Sequence, residues 1–191
     1  MEKRAVEEHV EDILIKADKR VLMALSPIYR CVILIVRHLV HGPSTLDDIE
    51  AMVESRGIRC RSLSRAIDLL TYYDFVRCVK SGSTRKCELT SVGMEMAVAL
   101  YEFIENLRSF VYGVLDGTVS DNDILANLVT GVASTVGFIE SYIEEPTLVP
   151  IYIAIHMYIS GLSASVLALL SRVDARVLNV VREFGLTNIE G

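Results

Sequence analysis

Two neighbouring segments of the sequence carry the clearest structural signals. The first is Ser55-Arg56-Gly57-Ile58-Arg59-Cys60-Arg61-Ser62-Leu63-Ser64-Arg65-Ala66-Ile67-Asp68-Leu69-Leu70, and the second is Phe75–Leu89. Apolar residues recur three and four positions apart in the first segment, which predicts a helix with one buried face. They are Leu63, Ala66, Ile67 and Leu70. The second segment places the turn residues Ser81-Gly82-Ser83-Thr84 between two short strands, Phe75–Lys80 and Arg85–Leu89, so a β-hairpin is predicted behind the helix.

Positive charge is concentrated in these two segments. Between Arg56 and Lys86 there are eight arginine and lysine residues and two acidic residues, a local balance of +6, although the whole chain carries a formal charge of −6. An acidic protein that gathers its cations on one short helix and hairpin has the charge distribution of a nucleic-acid-binding protein. The alternative is a solvated basic face that binds no ligand.

Two further helices are predicted just ahead of this helix. Ser26 and Pro27 begin the first, Ile28–His41, because serine is a favourable N-cap and proline is tolerated at the first helical position. The second begins at Ser44-Thr45-Leu46-Asp47-Asp48, where hydroxyls and carboxylates suit a helix N-terminus, and it ends at Gly57. Two short helices joined by a tight turn form a helix-turn-helix unit.

The rest of the chain is predicted to be helical. Residues 7–25 carry an apolar stripe that must pack against the C-terminal half or against a second subunit. A long helix is predicted from Ser91 to about Asp116, another over Ile124–Ile143 and a last one over Asp174–Phe184.

The segment Thr147–Ser171 passes 25 residues without a charge, which meets the length criterion for a membrane-spanning helix. Ser160-Gly161-Leu162-Ser163 predicts a break that divides it into two shorter helices. Glu144 and Glu145 also stand where cations would flank a spanning helix. A buried helix pair is therefore favoured over a membrane anchor, and a homodimer would cover the surplus apolar surface.

The order of three helices and a hairpin, closed by a Leu-Thr-x-x-Gly-x-x-x-Ala pattern over residues 89–97, resembles the winged helix-turn-helix regulators of the ArsR, MarR and PadR type. The segment Ser26-Pro27-Ile28-Tyr29-Arg30 looks like the ArsR-type start of the first helix. The resemblance covers residues 26–97 and specifies the fold rather than a subfamily. The second helix lacks the paired cysteines of metal-sensing ArsR members, so metal sensing of that kind is not expected.

The resemblance implies which residues would contact DNA. The third helix would face the major groove, where arginine reads guanine through two hydrogen bonds, and the hairpin cations would lie beside the phosphates. The groove-facing residues would be Arg61, Ser62, Ser64 and Arg65. The phosphate-binding residues would be Lys80, Arg85 and Lys86, and Arg59 and Arg77 complete the set of candidates.

The four cysteines form no Cys-x-x-Cys pair, and their spacings match no usual zinc framework. They are Cys31, Cys60, Cys78 and Cys87. If the hairpin turns symmetrically between Gly82 and Ser83, Cys78 lies opposite Cys87, close enough for a disulfide that could act as a redox lock. Two small buried thiols are the ordinary expectation for an intracellular protein, and they are favoured here.

Composition and missing motifs indicate the source and location of the protein and argue against several functional classes. The chain has no tryptophan and no glutamine, and arginine outnumbers lysine by fourteen to five, which favours a thermophile as the source. The charged N-terminus lacks the apolar run of a secretory signal, so a cytoplasmic location is expected. No nucleophile elbow, glycine-rich phosphate loop or zinc protease motif is present, so neither an enzyme nor a bound cofactor or metal is expected.

Together these features predict a mainly α protein. An N-terminal amphipathic helix over residues 1–25 would precede a winged helix-turn-helix domain with a small β-hairpin wing over 26–97, and an all-helical dimerisation or interaction domain over 98–191. The expected function is sequence-specific binding of double-stranded DNA by a homodimer that regulates transcription, and a small-molecule effector stays open but unsupported. Two alternatives stay open: a winged-helix protein interaction module in a larger complex, and a DNA-binding regulator tethered to a membrane.

Overall fold

The computed structural model of the protein describes residues 3–58, 60, 62–82, 84–128 and 149–183. It is 76% helical with a three-stranded antiparallel sheet, so the expected mainly α class is confirmed. The described residues form two compact units. We call them the central unit, within residues 23–103 and 149–155, and the terminal unit, within 3–22, 104–128 and 156–183. The predicted division into 1–25, 26–97 and 98–191 stays a prediction.

Strands occur only between the second and fifth helices of the described chain. The N-terminal helices are α1 (Lys3–Ala24) and α2 (Pro27–Leu39). They are followed by β1 (Ser44–Thr45), α3 (Leu46–Ser55), α4 (Leu63–Tyr72), β2 (Val76–Ser81) and β3 (Thr84–Leu89). The C-terminal elements are α5 (Ser91–Asp116), a helical stretch over 121–128 (α6), α7 (Pro150–Leu170) and α8 (Ala175–Glu183).

The predicted starts of α2 and α3 are confirmed. Ser26 caps α2 by accepting a hydrogen bond from the backbone nitrogen of Tyr29 (3.4 Å). At α3, Thr45 Oγ1 accepts from the backbone nitrogen of Asp48 (3.2 Å), and the Asp48 carboxylate accepts from the backbone nitrogen of Thr45 (3.4 Å). These reciprocal bonds form a capping box. The hydrogen bond from the Thr45 hydroxyl is the main cause of the lowered pKa of Asp48.

The sheet has the strand order β1-β3-β2, and β2 pairs with β3 in the predicted register. Cys78 lies opposite Cys87, and Lys80 lies opposite Arg85. Gly82 has a positive φ of 62° in the tight turn, which glycine adopts without strain. The strand β1 was not predicted, because it is only two residues long and its Ser-Thr sequence also begins α3.

The Leu-Thr-x-x-Gly pattern at the start of α5 fixes the hairpin to this helix. Thr90 donates its backbone N–H to the carbonyl oxygen of Phe75 (3.1 Å), and Thr90 Oγ1 accepts from the backbone nitrogen of Gly93 (3.1 Å). A Cβ atom on Gly93 would overlap the Phe75 carbonyl and lie 3.2 Å from Leu89 Cδ2. Glycine is therefore needed here for a close approach of two backbone segments.

Asp74 ends α4 with a positive φ of 59°, at the position that glycine usually takes after a helix. Its backbone nitrogen donates to Thr71 O (3.2 Å), and Phe75 N donates to Leu70 O (2.8 Å). Because a side chain strains this conformation, we expect Asp74→Gly to raise the free energy of unfolding by about 0.5 to 1 kcal/mol in urea titrations. Asp68→Gly, the same change at an exposed helical position of α4, should lower it. If the two variants changed the free energy of unfolding in the same direction, strain at Asp74 would not be the explanation.

In the terminal unit, the predicted stripe of α1 is buried against the C-terminal half of the same chain. Tyr158 of α7 is fully buried and donates its hydroxyl to Asp18 (2.6 Å). A Cβ atom on Gly161 would lie 3.0 Å from Val21, so α1 and α7 approach closely at this point. Within this unit the buried residues of the stripe are Val10, Ile13, Leu14, Ala17, Val21 and Leu22, and Val6 is buried just ahead of the predicted stripe.

The predicted helix break at Ser160-Gly161-Leu162-Ser163 is wrong, because α7 continues through it. Gly161 serves close packing on Val21 rather than a turn. By length and composition alone, α7 is the helix of the described chain that could cross a membrane, although 44% of its apolar window is buried within the protein. Of the predicted helix Ile124–Ile143, residues up to 128 are helical and the others lie outside the described residues.

Candidate nucleic-acid interface

The helix α4 is held by its inner face and presents its N-terminal residues to solvent. Its inner residues Ala66, Ile67 and Leu70 are at most 1% exposed, and the helix packs against α2 and β2. Ser64 and Arg65 are exposed, and Ser62, just before the helix, is half-buried. The structure therefore leaves the first turn of α4 accessible on a fixed scaffold.

The exposed face of α4 continues beyond the predicted candidates. Asp68, Thr71 and Tyr72 are also exposed, and Tyr72 is 82% exposed, with its ring edge-on to Tyr73 at a centroid distance of 5.0 Å. Residues three and four apart share a helix face, so counting forward from Arg65 would have added Tyr72 to the candidate set. Tyr72 is therefore a further candidate for ligand contact on the exposed face of α4.

The register divides the hairpin cations between two faces. Alternate residues of a strand point to opposite sides of the sheet, so Arg77 and Lys86 belong to one face and Lys80 and Arg85 to the other. Lys80 and Lys86 are exposed and Arg85 is half-buried. A ligand that contacts all four cations must therefore reach around the hairpin.

Lys80 and Arg85 form a directly opposed pair of like charges. The Cα atoms of Cys78 and Cys87 are 4.0 Å apart, nearer to the roughly 4.5 Å of a non-hydrogen-bonded antiparallel pair than to the roughly 5.5 Å of a hydrogen-bonded pair. The two kinds of pair alternate along a ladder, so Lys80 and Arg85, two residues further on, also form a non-hydrogen-bonded pair. Like charges in this arrangement destabilise a hairpin, and an anion bound between them would remove the penalty.

Arg77 differs from the other candidates because it is engaged within the hairpin. Its guanidinium donates to the Glu88 carboxylate across the two strands, through Nε at 3.2 Å and Nη2 at 2.5 Å. This hydrogen bond, with the charge of Glu88, raises the pKa of Arg77. Arg77 must leave Glu88 or share it before it can bind a phosphate, so we expect it to contribute less than Lys80 or Lys86.

The two remaining candidates, Arg59 and Arg61, lie outside the described residues. They flank Cys60, which the structure describes as half-buried between α3 and α4. Their assignment to the interface stays a prediction from the sequence.

All four cysteines are joined in disulfides, whereas the sequence favoured thiols. Cys78 and Cys87 are linked across the hairpin as the register allows, and a redox role for this pair stays a prediction. Cys31 is linked to Cys60 with a Cα separation of 5.7 Å. This second bond was missed because its partners are 29 residues apart and no local pattern brings them together.

Other site types are scarce in the described chain. Its residues include no group of three or more His, Cys, Asp or Glu side chains placed to hold a metal ion. The terminal unit has an open groove of about 920 Å³ between α1 and α5, where Arg108 forms an ion pair with Glu11. No effector is assigned to this groove.

Comparisons of the chain with protein-family models, with curated proteins and with solved structures find no match. The chain's own residues and fold must therefore support any function proposed for it.

Proposed function

We propose that the protein is a winged helix-turn-helix regulator that binds double-stranded DNA as a homodimer. The element order α2, β1, α3, α4, β2, β3 and the sheet order β1-β3-β2 support this proposal, since this is the order expected of a helix-turn-helix followed by a hairpin wing. Helix α4 would enter the major groove with Ser64 and Arg65 on its accessible first turn. The hairpin would lie along the adjacent phosphates.

The opposed pair Lys80 and Arg85 carries the proposal. A protein with a net charge of −6 has acidic side chains to place opposite these cations, yet it places two cations opposite each other on the hairpin. The arrangement costs stability in the free protein, and an anion bound between the two side chains would offset that cost. A DNA backbone supplies such anions at regular spacing.

We expect Lys80→Gln to weaken DNA binding and to stabilise the protein. Loss of one phosphate contact per subunit should weaken binding to all duplexes alike and lower the slope of log Kd against log salt by about 1 per subunit, or about 2 for the dimer. Loss of one of two opposed like charges should raise the free energy of unfolding by about 0.2 to 1 kcal/mol. Fluorescence anisotropy at several salt concentrations and urea unfolding measure the two effects.

The matched control is Lys19→Gln, which removes an exposed lysine of α1 from the terminal unit. It should leave the salt slope unchanged. A Lys80→Gln protein that binds one duplex normally and another weakly would contradict a phosphate-binding role for the hairpin, and so would an unchanged salt slope.

An apolar stripe on the central-unit part of α5 supports the homodimer. Met94, Val98 and Tyr101 recur one turn apart and are 38%, 40% and 49% exposed. Two-fold pairing would place two copies of α4 about one DNA turn apart, so a palindromic operator is the expected target. Sedimentation equilibrium of the full chain and of a Val98→Glu variant would test the pairing.

The same stripe favours a second candidate, in which the protein is a winged-helix interaction module that docks on another protein. In that case the chain would stay monomeric and would show no preference among duplexes. The apolar helix α7 keeps a third candidate open, a membrane-tethered regulator, for which solubility would depend on detergent.

A further inference from the structure

The disulfide between Cys31 and Cys60 joins a core helix to the segment that leads into α4. Cys31 lies on α2 and is fully buried, whereas Cys60 is half-buried two residues before Ser62. Its Cα–Cα separation of 5.7 Å is ordinary for a disulfide. The bond therefore anchors the approach to α4 in the core of the central unit.

The N-terminal end of α4 has no side-chain cap of its own. Ser62 stands at the N-cap but makes no side-chain capping hydrogen bond. The backbone nitrogen of Leu63 donates instead to the carbonyl oxygen of Cys60 (3.2 Å). Cys60 thus accepts a hydrogen bond from the first residue of α4 and is covalently tied to α2.

The hairpin disulfide has a different structural setting. Cys78 and Cys87 are nine residues apart on strands that the β-ladder already pairs, and β1 adds a further neighbour to β3 at Cys87. The Cys31–Cys60 bond closes a loop of 29 residues, and longer loops lose more conformational freedom when they are cross-linked. Breaking the Cys31–Cys60 bond should therefore lower the free energy of unfolding more, and it removes a restraint that lies next to Ser64 and Arg65.

We propose that the Cys31–Cys60 disulfide positions the DNA-facing end of α4, so that its reduction by a dithiol weakens DNA binding. This inference rests on the proposed function. The attacking thiolate reaches the half-buried Cys60 sulfur, the Sγ–Sγ bond breaks, and the Cys31 sulfur leaves and takes up a proton. The second thiol of the dithiol then releases Cys60 as a thiol. The dithiol becomes its own disulfide, so two electrons and two protons pass to the protein.

The first test needs no DNA and uses hydrogen exchange of the full-length protein before and after treatment with dithiothreitol. Cys60→Ser and Cys78→Ser form a matched pair, because each replaces the half-buried member of one disulfide and leaves a buried thiol behind. We expect reduction of the wild type to speed exchange in the first turn of α4 about tenfold or more, because local opening becomes easier. Cys60→Ser should exchange at that faster rate with or without dithiothreitol, and Cys78→Ser should behave like the wild type.

Three results of this test would overturn the positioning role. One is equal α4 exchange in the oxidised and reduced wild type. Another is exchange in the first turn of α4 that is as fast in Cys78→Ser as in Cys60→Ser, which would indicate general loosening of the central unit. The third is the recovery of Cys31 and Cys60 as unlinked thiols by mass spectrometry of protein isolated without reductant and treated with a disulfide oxidant.

The second test measures DNA affinity by fluorescence anisotropy in the same samples. Reduction should weaken specific binding about fivefold or more, without changing the salt slope, because no cation is lost. Cys60→Ser should bind like the reduced wild type in both conditions. Equal binding by oxidised and reduced protein would overturn the redox control. An oxidised wild type that prefers no duplex would instead refute the proposed function, while the exchange result would still decide the positioning role.

Discussion

Gly93→Ala is expected to unfold the central unit at moderate temperature. The added methyl group would overlap the Phe75 carbonyl oxygen, which also accepts the hydrogen bond from Thr90 that joins the hairpin to α5. Neither backbone segment can move without breaking that hydrogen bond or the packing of Leu89. Overpacking typically costs about 1 to 3 kcal/mol and occasionally more, and overlap with a backbone carbonyl places this change at the upper end. Thermal unfolding followed by circular dichroism measures the loss.

The control for this change is Val92→Ala on the same turn of α5. Val92 is 42% exposed, so shortening it should change the free energy of unfolding by less than about 0.5 kcal/mol. If Gly93→Ala were as stable as Val92→Ala, the close approach of Gly93 to Phe75 would not exist in solution.

Arg65→Ala is expected to remove most of the discrimination between operator and unrelated DNA. Arg65 is exposed on the first turn of α4, which the proposal places in the major groove. Loss of a bidentate contact to guanine costs roughly 1 to 3 kcal/mol, or about 5- to 150-fold in affinity, for each half-site of the operator. Binding to scrambled DNA should fall much less. Arg61→Ala/Arg65→Ala should lose more, as the sequence predicts for two arginines one helical turn apart.

Arg172→Ala is the matched control, because it removes an exposed arginine outside the central unit. It should leave both affinities unchanged. If Arg65→Ala lowered binding to operator and scrambled duplexes by the same factor, Arg65 would be a phosphate contact and α4 would not be the reading helix.

Local features of the fold could be predicted because neighbouring residues determine them. A short Gly-containing turn sets the hairpin register, which is why Cys78 was correctly placed opposite Cys87. The start of α2 at Ser26 was predicted for the same reason, since its N-cap is read from adjacent residues. Gly93 belongs to the sequence pattern over residues 89–97. Glycine is needed there because of the carbonyl group of Phe75, eighteen residues earlier, which the pattern does not indicate.

Features that depend on distant residues could not be predicted. The strand β1 exists because β3 offers an open edge to Ser44 and Thr45, and two residues give no strand signal of their own. Gly161 was interpreted as a helix break, although its partner is Val21 on α1. Small residues mark either a turn or a close contact, and only the fold distinguishes the two.

The part of the candidate site that could be predicted depends on local sequence. The exposed face of α4 at Ser64 and Arg65 follows from helical periodicity, and the opposed pair of Lys80 and Arg85 follows from the register. The ion pair between Arg77 and Glu88 also follows from that register, whereas the charge pattern alone makes Arg77 a DNA-binding candidate. The link between Cys31 and Cys60 needed the packing of α2 against the segment before α4.

The most direct test of DNA reading is fluorescence anisotropy of the oxidised wild-type protein. The probes are a labelled duplex from upstream of the protein's own gene and a scrambled duplex of the same composition, each at two salt concentrations. We expect tighter binding to the upstream duplex than to the scrambled duplex, and we expect this preference to persist at the higher salt concentration. Equal binding to both duplexes that disappears at higher salt would contradict this expectation, because charge attraction alone would then explain the basic surface.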